Sequence, residues 1–396
     1  MTTIVRLRES DRARPVRLTG EQARRLAAAG VVEVRPGAGA GTWLLRSDRT
    51  VGAARIGDVE LYVEPKLPVG NLLFLLGYAR DPKGWRKHRV PATDADGLMP
   101  ALADALWRQI DQAIRPGLPQ GYRTTEATST VLRGRIRETR QLGRWPGRPV
   151  PLEIRYDEFT ADIPENRILA GAVERMLRVP GIRPESRRML RHLSAVFAEV
   201  SPLWPGQPTP AWIPTRTNTR LWPALRLAEL VLSGRSIDVR TGHVAVNGLL
   251  IDLATLFEEF VTASLRAALQ SRFGGLLIAQ ANGHLDHGRR IAVRPDLVWK
   301  KNGRVIAVAD AKYKRHTPTA DMYQMLAYCT AYGLPRGHLV YAAGGTPSRH
   351  VVRNAGTEIV CHFLDLGRAP ADLLTEVNRL AEEIARTETT MASSIR

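Results

Sequence analysis

Cysteine and long apolar runs are scarce in this chain, and each scarcity excludes a class of protein. Lysine is scarce as well. The 396 residues include two cysteines, Cys329 and Cys361, both in apolar surroundings, so neither a disulfide framework nor a cysteine-based zinc site is expected. No apolar run approaches the roughly 20 residues that a membrane-spanning helix needs, and the first residues do not resemble a secretory signal. We therefore expect a cytoplasmic protein without a membrane partner.

A phosphate-binding nucleotide loop is also missing. Residues 37–41 are glycine-rich, but they lack the Lys-Ser/Thr pair that grips phosphate, and no Walker A sequence occurs elsewhere. The chain is therefore not expected to be a P-loop NTPase.

Positive charge, by contrast, is abundant. The chain has 57 Lys and Arg against 39 Asp and Glu, a net charge of +18. Such an excess favours a polyanionic partner such as DNA, although the arginine and alanine usage of a GC-rich genome would produce part of it. Only seven of the basic residues are lysines, so a lysine here marks a position where a compact ammonium is favoured over a guanidinium.

The chemistry-bearing stretch is residues 291–312, in which two apolar, β-branched runs flank the sequence Lys-Asn-Gly-Arg. Asn-Gly between such runs predicts a hairpin, because both residues tolerate the positive φ of a primed turn. Pairing about this turn brings Asp296 roughly opposite Asp310. Lys312, two residues further on, projects from the same strand face as Asp310. The register stays open by a residue at this point, because a bulge would shift it.

Two carboxylates and an ammonium on one sheet face suit metal-assisted hydrolysis of phosphodiesters. Asp296 and Asp310 would hold one or two Mg²⁺ ions, with Mn²⁺ as a substitute, which neutralise the phosphate and lower the pKa of a bound water. Lys312 would orient that water and stabilise charge developing on the phosphate. The pattern matches that of PD-(D/E)xK nucleases, and a surface hairpin with solvated acids is the plain alternative.

Two flanking helices favour the nuclease interpretation. Residues 319–333 have helical periodicity, and Gln324 and Tyr328, four residues apart, share one face of that helix. A Q-x-x-x-Y helix after D-x-K resembles the RecB-like branch of this superfamily. The earlier helix carries Glu258 and Glu259, which point about 100° apart, and we expect Glu258 to be the additional metal ligand.

Basic residues cluster in two segments that would suit nucleic acid or a protein partner. The loop at 83–88 combines several basic residues with an aromatic one. Farther along, Arg123 precedes Arg133, Arg135 and Arg137, whose alternation predicts one face of a strand that meets a DNA backbone or an acidic partner. A solvated strand face explains the same alternation equally well.

The composition of the linking segments predicts a multidomain chain of mixed α+β and α/β class. We expect an N-terminal β-rich domain over 1–95, a helical middle region with the basic strand over 96–239, and a C-terminal PD-(D/E)xK domain over 240–396. In the last, a central mixed sheet with strands near 291–299, 305–310, 338–343 and 357–364 would be flanked by helices at 253–273, 319–333 and 369–387.

Seven short motifs make a resemblance specific. In order, they are Val-Glu-Pro-Lys-Leu (63–67), Leu-Arg-Gly-Arg-Ile (132–136), Tyr-Asp-Glu-Phe-Thr (156–160), Glu-Asn-Arg-Ile-Leu (165–169), Leu-Phe-Glu-Glu-Phe (256–260), Arg-Pro-Asp (294–296) and Asp-Ala-Lys-Tyr-Lys (310–314). Over roughly residues 50–345 the chain resembles the McrC family, the nuclease subunits of McrBC-type modification-dependent restriction systems.

The resemblance implies a function that spacing alone does not. The N-terminal half of such proteins docks on a hexameric AAA+ nucleotidase of the McrB type and stimulates it. Translocation by that motor, usually GTP-driven, then triggers double-strand DNA cleavage by the C-terminal domain. Carried onto this chain, Asp296, Asp310 and, less directly, Glu258 become metal ligands and Lys312 the catalytic lysine. The Q-x-x-x-Y pair fits the RecB-like pattern more than the McrC pattern and supports the site.

Two other functions stay open. One is a free-standing RecB-like nuclease, whose iron–sulfur variety would need four cysteine ligands that two cysteines cannot supply. The other is a non-catalytic activator of the motor with a vestigial nuclease site. The intact Asp296, Asp310 and Lys312 argue against decay, because unpaired charges near a core are costly. His284 lies where some RecB-like nucleases place a histidine, but its polar surroundings favour an ordinary surface residue.

Overall fold

The structure is a computed structural model that describes residues 2–80, 82, 97–204, 207–233, 246–314, 318–342 and 345–393. The predicted basic loop at 83–88 and most of the turn region at 242–248 lie outside the described residues. The chain folds as two compact units, the first made of residues 1–101 and 235–396 and the second of residues 102–234. The division into three domains stays a prediction, but its first and last parts contribute to the same unit.

Helices and strands alternate irregularly along the chain. The N-terminal part contains β1 (Thr3–Arg8), β2 (Arg14–Arg17), α1 (Gly20–Ala29), β3 (Glu33–Pro36), β4 (Thr42–Arg46), β5 (Thr50–Ile56), β6 (Val59–Glu64) and α2 (Val69–Arg80). The middle part contains α3 (Leu98–Ile114), β7 (Gly121–Ser129), β8 (Arg135–Ile136), α4 (Glu138–Arg144), β9 (Leu152–Thr160), α5 (Pro164–Leu177), α6 (Pro184–Val196) and α7 (Trp222–Ser233). The C-terminal part contains β10 (Val246–Asp252), α8 (Leu253–Phe273), β11 (Leu276–Ala279), β12 (Gly283–His284), β13 (Ala292–Val293), β14 (Leu297–Lys301), β15 (Arg304–Lys312), α9 (Thr319–Tyr332), β16 (Arg336–Tyr341), β17 (Ser348–Val351), β18 (Glu358–Phe363) and α10 (Pro370–Ser393). None of the helices, within the residues described, is long and apolar enough to cross a membrane.

Strand β10 joins the N-terminal sheet, whose order is β1-β6-β5-β10. It pairs antiparallel with β5, and two glycines permit the close approach. A Cβ on Gly52 would lie 2.2 Å from the carbonyl oxygen of Leu249, and one on Gly248 would lie 2.3 Å from that of Ala53. The boundary predicted near residue 240 assigns these residues to the C-terminal domain, and no strand was predicted here. Strand β10 pairs instead with the N-terminal sheet, and a partner so distant in sequence leaves no local signal.

Helix α8 begins at a side-chain cap. The Asp252 carboxylate accepts hydrogen bonds from the backbone amides of Ala254 and Thr255, at 2.9 and 3.1 Å, which satisfies donors that a helix start leaves free. Because Asp252 also ends β10, the chain turns directly from the N-terminal sheet into the helix that carries Glu258.

The C-terminal part is built on a six-stranded sheet of order β11-β14-β15-β16-β18-β17. Strands β14 and β15 are antiparallel, whereas β15, β16 and β18 run parallel. Helices α8, α9 and α10 all pack against its strands, so the predicted mixed sheet flanked by helices is confirmed. The short edge strands β11 and β17 were not predicted, because four residues carry too little periodicity to separate a strand from a loop.

A buried apolar cluster fastens α9 to this sheet. It includes Val298 and Val308 from the hairpin strands, Met325 and Cys329 from the helix, and Cys361 from β18. Both cysteines are free and buried, as their apolar surroundings predicted. The cluster holds α9 against the strands that carry the candidate site.

The second unit combines the sheet β7-β9-β8 with helices. Strands β7 and β9 pair antiparallel along their whole length, and α5 packs against both α6 and α7. The predicted helical character of the middle region is therefore present, together with a small sheet.

Candidate active site

The hairpin predicted within residues 291–312 is present. Both residues of its Asn-Gly turn have positive φ, 50° and 77°, which is the geometry that a two-residue primed turn requires. A bulge interrupts the pairing close to the turn, and beyond it Leu297 stands opposite Ala309. Asp296 and Asp310 are the next positions along the two strands, as the sequence predicted.

Hydrogen bonds through the backbone bring the two aspartates together. Asp296 Oδ2 accepts a hydrogen bond from the backbone amide of Ala311 at 2.8 Å, and the amide of Asp296 donates to Asp310 Oδ1 at 3.4 Å. Asp310 is 2% exposed, and Lys312 Nζ lies 2.5 Å from its Oδ2 atom. Two acids and one ammonium therefore converge at the end of the hairpin opposite the turn.

The electrostatics of this group are strongly perturbed. Burial, and then the charge of Asp310, raise the pKa of Asp296 to about 8, against the opposing effect of the Ala311 amide. Burial opposes the charge on Lys312, but the Asp310 carboxylate outweighs it and raises the pKa of the ammonium above its usual value. Groups perturbed by burial together with a specific charged neighbour are typical of functional sites.

Of the two adjacent acids on α8, Glu258 faces this group. Its charge contributes to the raised pKa of Asp296, and its Oε1 atom accepts a hydrogen bond of 2.7 Å from Gln280 Nε2. Glu259 is exposed. The geometry therefore favours Glu258 over Glu259 as the acid that extends the site.

Gln280 is a site residue that the sequence analysis missed. Its backbone amide donates to the carbonyl of Asp296 at 2.8 Å, and its side-chain oxygen accepts from Arg294 Nη2 at 2.7 Å. With φ of 46° it occupies the left-handed region that residues other than glycine seldom adopt. No motif marks it, because it lies in the loop after β11 and its partners come from distant elements.

Gln324 and Tyr328 support the backbone beside the aspartates. Gln324 Nε2 donates to the Tyr328 hydroxyl at 2.9 Å, and this hydroxyl donates to the carbonyl of Arg294 at 3.2 Å. Burial, and then the charges of Asp310 and Asp296, raise the pKa of Tyr328 above its usual value, so the phenol lies within the field of both acids. The pair holds the chain segment that leads into Asp296.

A second charged cluster follows Lys312 and was not predicted. Asp321 on α9 is buried and accepts hydrogen bonds from Lys314 Nζ at 3.0 Å and from the Tyr341 hydroxyl at 3.2 Å. Its charge also contributes to the raised pKa of Lys312. The signal for it was available, since Lys314 is one of only seven lysines and follows Lys312 at strand spacing.

Tyr313 connects the strand of the site to the N-terminal sheet. Its hydroxyl donates to Glu9 Oε1 at 2.9 Å, and Glu9 Oε2 accepts from the backbone amide of Lys66 at 3.1 Å. Glu9 is 3% exposed. Two of the seven sequence motifs, at 63–67 and 310–314, therefore belong to one hydrogen-bonded network.

The donor atoms of the site suit Mg²⁺, which prefers carboxylate oxygens and water. Asp310 Oδ2 is buried and accepts no hydrogen bond of normal geometry, and a divalent cation would relieve the repulsion between the two aspartates. No group of three His, Cys, Asp or Glu side chains is gathered closely enough to hold a metal ion in the described part of the chain. Asp296 and Asp310 therefore fit a metal as a pair, while Glu258 is bonded to Gln280.

His284 forms no hydrogen bond or ion pair with this group among the residues that the structure describes. It is exposed on β12 and pairs with Ala292 of β13. This position agrees with an ordinary surface histidine.

In the second unit, the prediction that Arg133, Arg135 and Arg137 line one strand face is wrong. Strand β8 has only two residues, and Arg137 lies after it, at the N-cap position of α4. Gly134 has φ of 69°, and a Cβ there would lie 2.2 Å from the carbonyl oxygen of Arg155. The chain turns tightly against β9 at this point, which alternation of residue types could not reveal.

Two of the four arginines singled out in this unit form internal ion pairs. Arg123 pairs with the buried Asp162, and Arg137 Nη1 lies 2.6 Å from Glu126 Oε2. The other two are exposed and form no ion pair among the residues that the structure describes. Only those two keep the free charge that a nucleic-acid or protein contact would use.

The site and the fold together define a chemical class. Two convergent carboxylates and a half-buried ammonium at the ends of paired strands of a mixed sheet are suited to metal-assisted hydrolysis of phosphate esters. The profile of the McrBC 5-methylcytosine restriction system component family matches residues 45–342. This is well over half of the chain, and the chain belongs to that family, which confirms the McrC-type assignment drawn from the motifs.

Solved structures agree on the fold. A chain in the refined half-complex from the tetradecameric assembly of Thermococcus gammatolerans McrB AAA+ hexamers with bound McrC has a TM-score of 0.58 and 18% identity, and the match covers 96% of this chain and 100% of that chain. A chain in the cryo-EM structure of the Thermococcus gammatolerans McrBC complex has a TM-score of 0.41 and 19% identity, covering 67% of this chain and 88% of that one. The first likeness shows a shared fold. No curated protein matches the chain.

Proposed function

We propose that this chain is the McrC-like nuclease subunit of a modification-dependent restriction system. It would dock on a McrB-type AAA+ nucleotidase, stimulate it, and cleave DNA by Mg²⁺-dependent hydrolysis of phosphodiester bonds. The observation that carries the proposal is the convergence of Asp296, Asp310 and Lys312 on adjoining strands, in a chain of the McrBC family. The C-terminal sheet is then a PD-(D/E)xK nuclease domain.

Asp296 and Asp310 would hold the metal ion. When bound, Mg²⁺ supplies charge neutralisation at the phosphate and a water of lowered pKa. Lys312 is fixed by its ion pair with Asp310, so its ammonium is placed to stabilise negative charge that develops on the phosphate. The three side chains lie on paired strands, and a rigid sheet keeps such a group in register.

Glu258, Gln324 and Tyr328 would act around this centre. Glu258 extends the acidic face from α8, where its charge already raises the pKa of Asp296. The glutamine and tyrosine position the carbonyl of Arg294, and thereby the strand that carries Asp296. They are positioning residues for the reaction, since Tyr328 contacts the backbone and Gln324 contacts Tyr328.

The docking part of the proposal is supported by family and fold. In the Thermococcus gammatolerans assembly, McrC is bound to McrB AAA+ hexamers, and a subunit without a Walker A sequence needs a partner to supply nucleotide hydrolysis. The exposed Arg133 and Arg135 are the remaining candidates for partner or DNA contact, because Arg123 and Arg137 are already paired.

The deciding experiment is cleavage of methylated and unmethylated plasmid by the wild type and by Asp310→Ala, with and without a McrB-type AAA+ partner and Mg²⁺. We expect cleavage to require the partner, the metal and Asp310. Asp310→Ala should abolish cleavage and leave stimulation of the partner's hydrolysis intact. Loss of both activities would point to misfolding, which thermal melting of the variant detects.

Two other outcomes of this experiment would each favour one of the alternative functions. Cleavage by the isolated chain would favour a free-standing RecB-like nuclease. Acceleration of the partner's nucleotide hydrolysis without any cleavage would favour a non-catalytic activator.

A further inference from the structure

We propose that an arginine-lined cleft on the N-terminal sheet binds the phosphodiester backbone of duplex DNA beside the candidate active site. Strands β1, β2 and β4 and the segment between the first two surround the cleft. Its walls carry five arginines, namely Arg6, Arg8, Arg12, Arg14 and Arg46. The inference rests on the proposed DNA cleavage, because it assigns the surface that would hold that substrate.

The acidic residues that line the cleft do not neutralise the charge of its arginines. All five arginines are exposed, and among the described residues only Arg46 forms an ion pair, with Asp48 at 3.4 Å. Two carboxylates reach the cleft, from Asp11 and Glu64, and Asp11 is already paired with Lys66 at 3.1 Å. Like charges gathered on a concave surface repel one another, and a bound polyanion relieves that repulsion.

Two of the guanidinium groups are held in place without losing their charge. Arg14 Nη1 donates to the carbonyl of Arg6 at 3.1 Å, and the Arg6 guanidinium lies over the Tyr62 ring, 4.7 Å from its centroid. Guanidinium groups bind phosphate oxygens with paired N–H donors. Arg8 and Arg12 form neither an ion pair nor a side-chain hydrogen bond among the described residues, so their donors are available for phosphate.

The cleft adjoins the strand of the candidate active site through a contact between Glu9 and Tyr313. Arg6 and Arg8 lie on the exposed face of β1, and the next residue, Glu9, turns inward to accept the hydrogen bond from the Tyr313 hydroxyl at 2.9 Å. Tyr313 directly follows Lys312. A duplex whose backbone lay in the cleft would therefore lie close to the end of the strand that carries Lys312. Backbone contacts carry no sequence information, which suits a subunit whose partner reads the modified base.

The test is binding of the full chain to an unmodified blunt duplex of roughly 20 base pairs in EDTA, over a series of salt concentrations. For Arg8→Gln/Arg12→Gln we expect affinity to fall by at least about tenfold near 0.1 M salt. The slope of log K against log[salt] should fall by about 2, since each lost phosphate contact removes about 0.9. The matched control, Arg266→Gln/Arg353→Gln, also removes two exposed arginines from this unit and should change neither quantity. Glu64→Gln should tighten binding, because it removes a carboxylate from the cleft.

Several outcomes would overturn the assignment. Unchanged affinity and slope in the Arg8/Arg12 variant would do so, as would a wild-type chain that binds no duplex. If that variant keeps DNA binding and loses stimulation of the AAA+ partner, the cleft is a protein-docking surface instead. Asp310→Ala separates this inference from the proposed nuclease function, since it should keep duplex binding whether or not the wild type cuts DNA.

Discussion

Two regions of this chain have charged residues whose spacing predicted one face of a strand, and the two regions differ in the structure. In the hairpin of the first unit, Asp296, Asp310 and Lys312 converge, and Asp310 is 2% exposed. In the second unit the arginines at 133 and 135 stay in solvent, while Arg137 is paired with an acid at 2.6 Å. The hairpin holds two acids together, so that burial and the charge of Asp310 raise the pKa of Asp296. In the arginine segment each charge is separately paired or solvated.

The difference shows when the spacing of residues reliably predicts that their side chains share one face of a strand. Alternation places side chains on one face only if the segment is a strand. In the hairpin, the Asn-Gly turn and two β-branched runs specify the strands independently of the charged residues. In the arginine segment nothing but the alternation itself suggested a strand, and Gly134 breaks it.

The first prediction compares Lys312 of the hairpin with two arginines of the second unit. Lys312→Gln should lower cleavage by roughly two to three orders of magnitude, the loss typical of removing one group that stabilises transition-state charge. Arg133→Gln/Arg135→Gln should leave the cleavage rate at saturating partner and DNA within a few-fold of wild type, because a contact of these arginines with the partner or with the DNA backbone would contribute to binding and not to stabilisation of the transition state. The measurement is single-turnover cleavage in the presence of the AAA+ partner.

This comparison would break if both variants lost cleavage equally. The arginines of the second unit would then belong to the catalytic path, or Lys312 would serve only to hold Asp310. Lys312→Arg distinguishes the latter, since a guanidinium keeps the ion pair but not the compact charge.

The second prediction concerns Asp162, a buried acid of the arginine-rich unit. Asp162 accepts hydrogen bonds from Arg167 Nε at 2.6 Å and from the Ser201 amide and hydroxyl at 2.9 and 2.7 Å. Asp162→Ala should lower the free energy of unfolding by about 2–3 kcal/mol, because charge-assisted hydrogen bonds are lost and partly buried donors are left unpaired. Asp157→Ala, which removes an exposed acid from the neighbouring strand, should stay within about 0.5 kcal/mol.

The pH dependence of this effect has a definite sign. The hydrogen bonds from Arg167, followed by those from Ser201, lower the pKa of Asp162 well below its usual value. Its contribution to stability is therefore fully present above about pH 4 and is lost as the pH falls through the folded-state pKa. Thermal melts of wild type and Asp162→Ala should converge on acidification. A constant difference would show that packing, not charge, carries the contribution.

Much of the C-terminal fold could be predicted because its elements carry local signals. Helix α8 follows an aspartate cap, α9 follows Pro318, and the hairpin has its Asn-Gly turn. The pairing of β10 with β5 could not be predicted, since it joins segments far apart in sequence. It depends on Gly52 and Gly248, each of which lets the backbone of the opposite strand approach closely. Local patterns specify elements, while such long-range pairings are specified only by the whole packed structure.

The residues of the candidate site likewise divide into those that local sequence signals predicted and those that they did not. Asp296, Asp310 and Lys312 were predictable because one hairpin carries all three. Gln280 was not, because its role depends on bonds to Glu258 and to the Arg294–Asp296 segment, which come from different elements. Glu9 was missed for the same reason, since its partner Tyr313 belongs to the opposite end of the chain.

The smallest expected effect tests whether support of the hairpin backbone matters to catalysis. Tyr328→Phe removes the hydroxyl that donates to the carbonyl of Arg294 at 3.2 Å and accepts from Gln324 at 2.9 Å. The loss of one such bond is worth about 1 kcal/mol, so we expect cleavage to fall by several-fold, with duplex binding unchanged. Tyr332→Phe is the matched control, because it removes a hydroxyl one turn later that donates at 3.4 Å to the carbonyl of Ala281. Equal losses in the two variants would assign both tyrosines to packing of α9, whereas a loss confined to Tyr328→Phe would show that the strand leading into Asp296 must be held in place for the reaction.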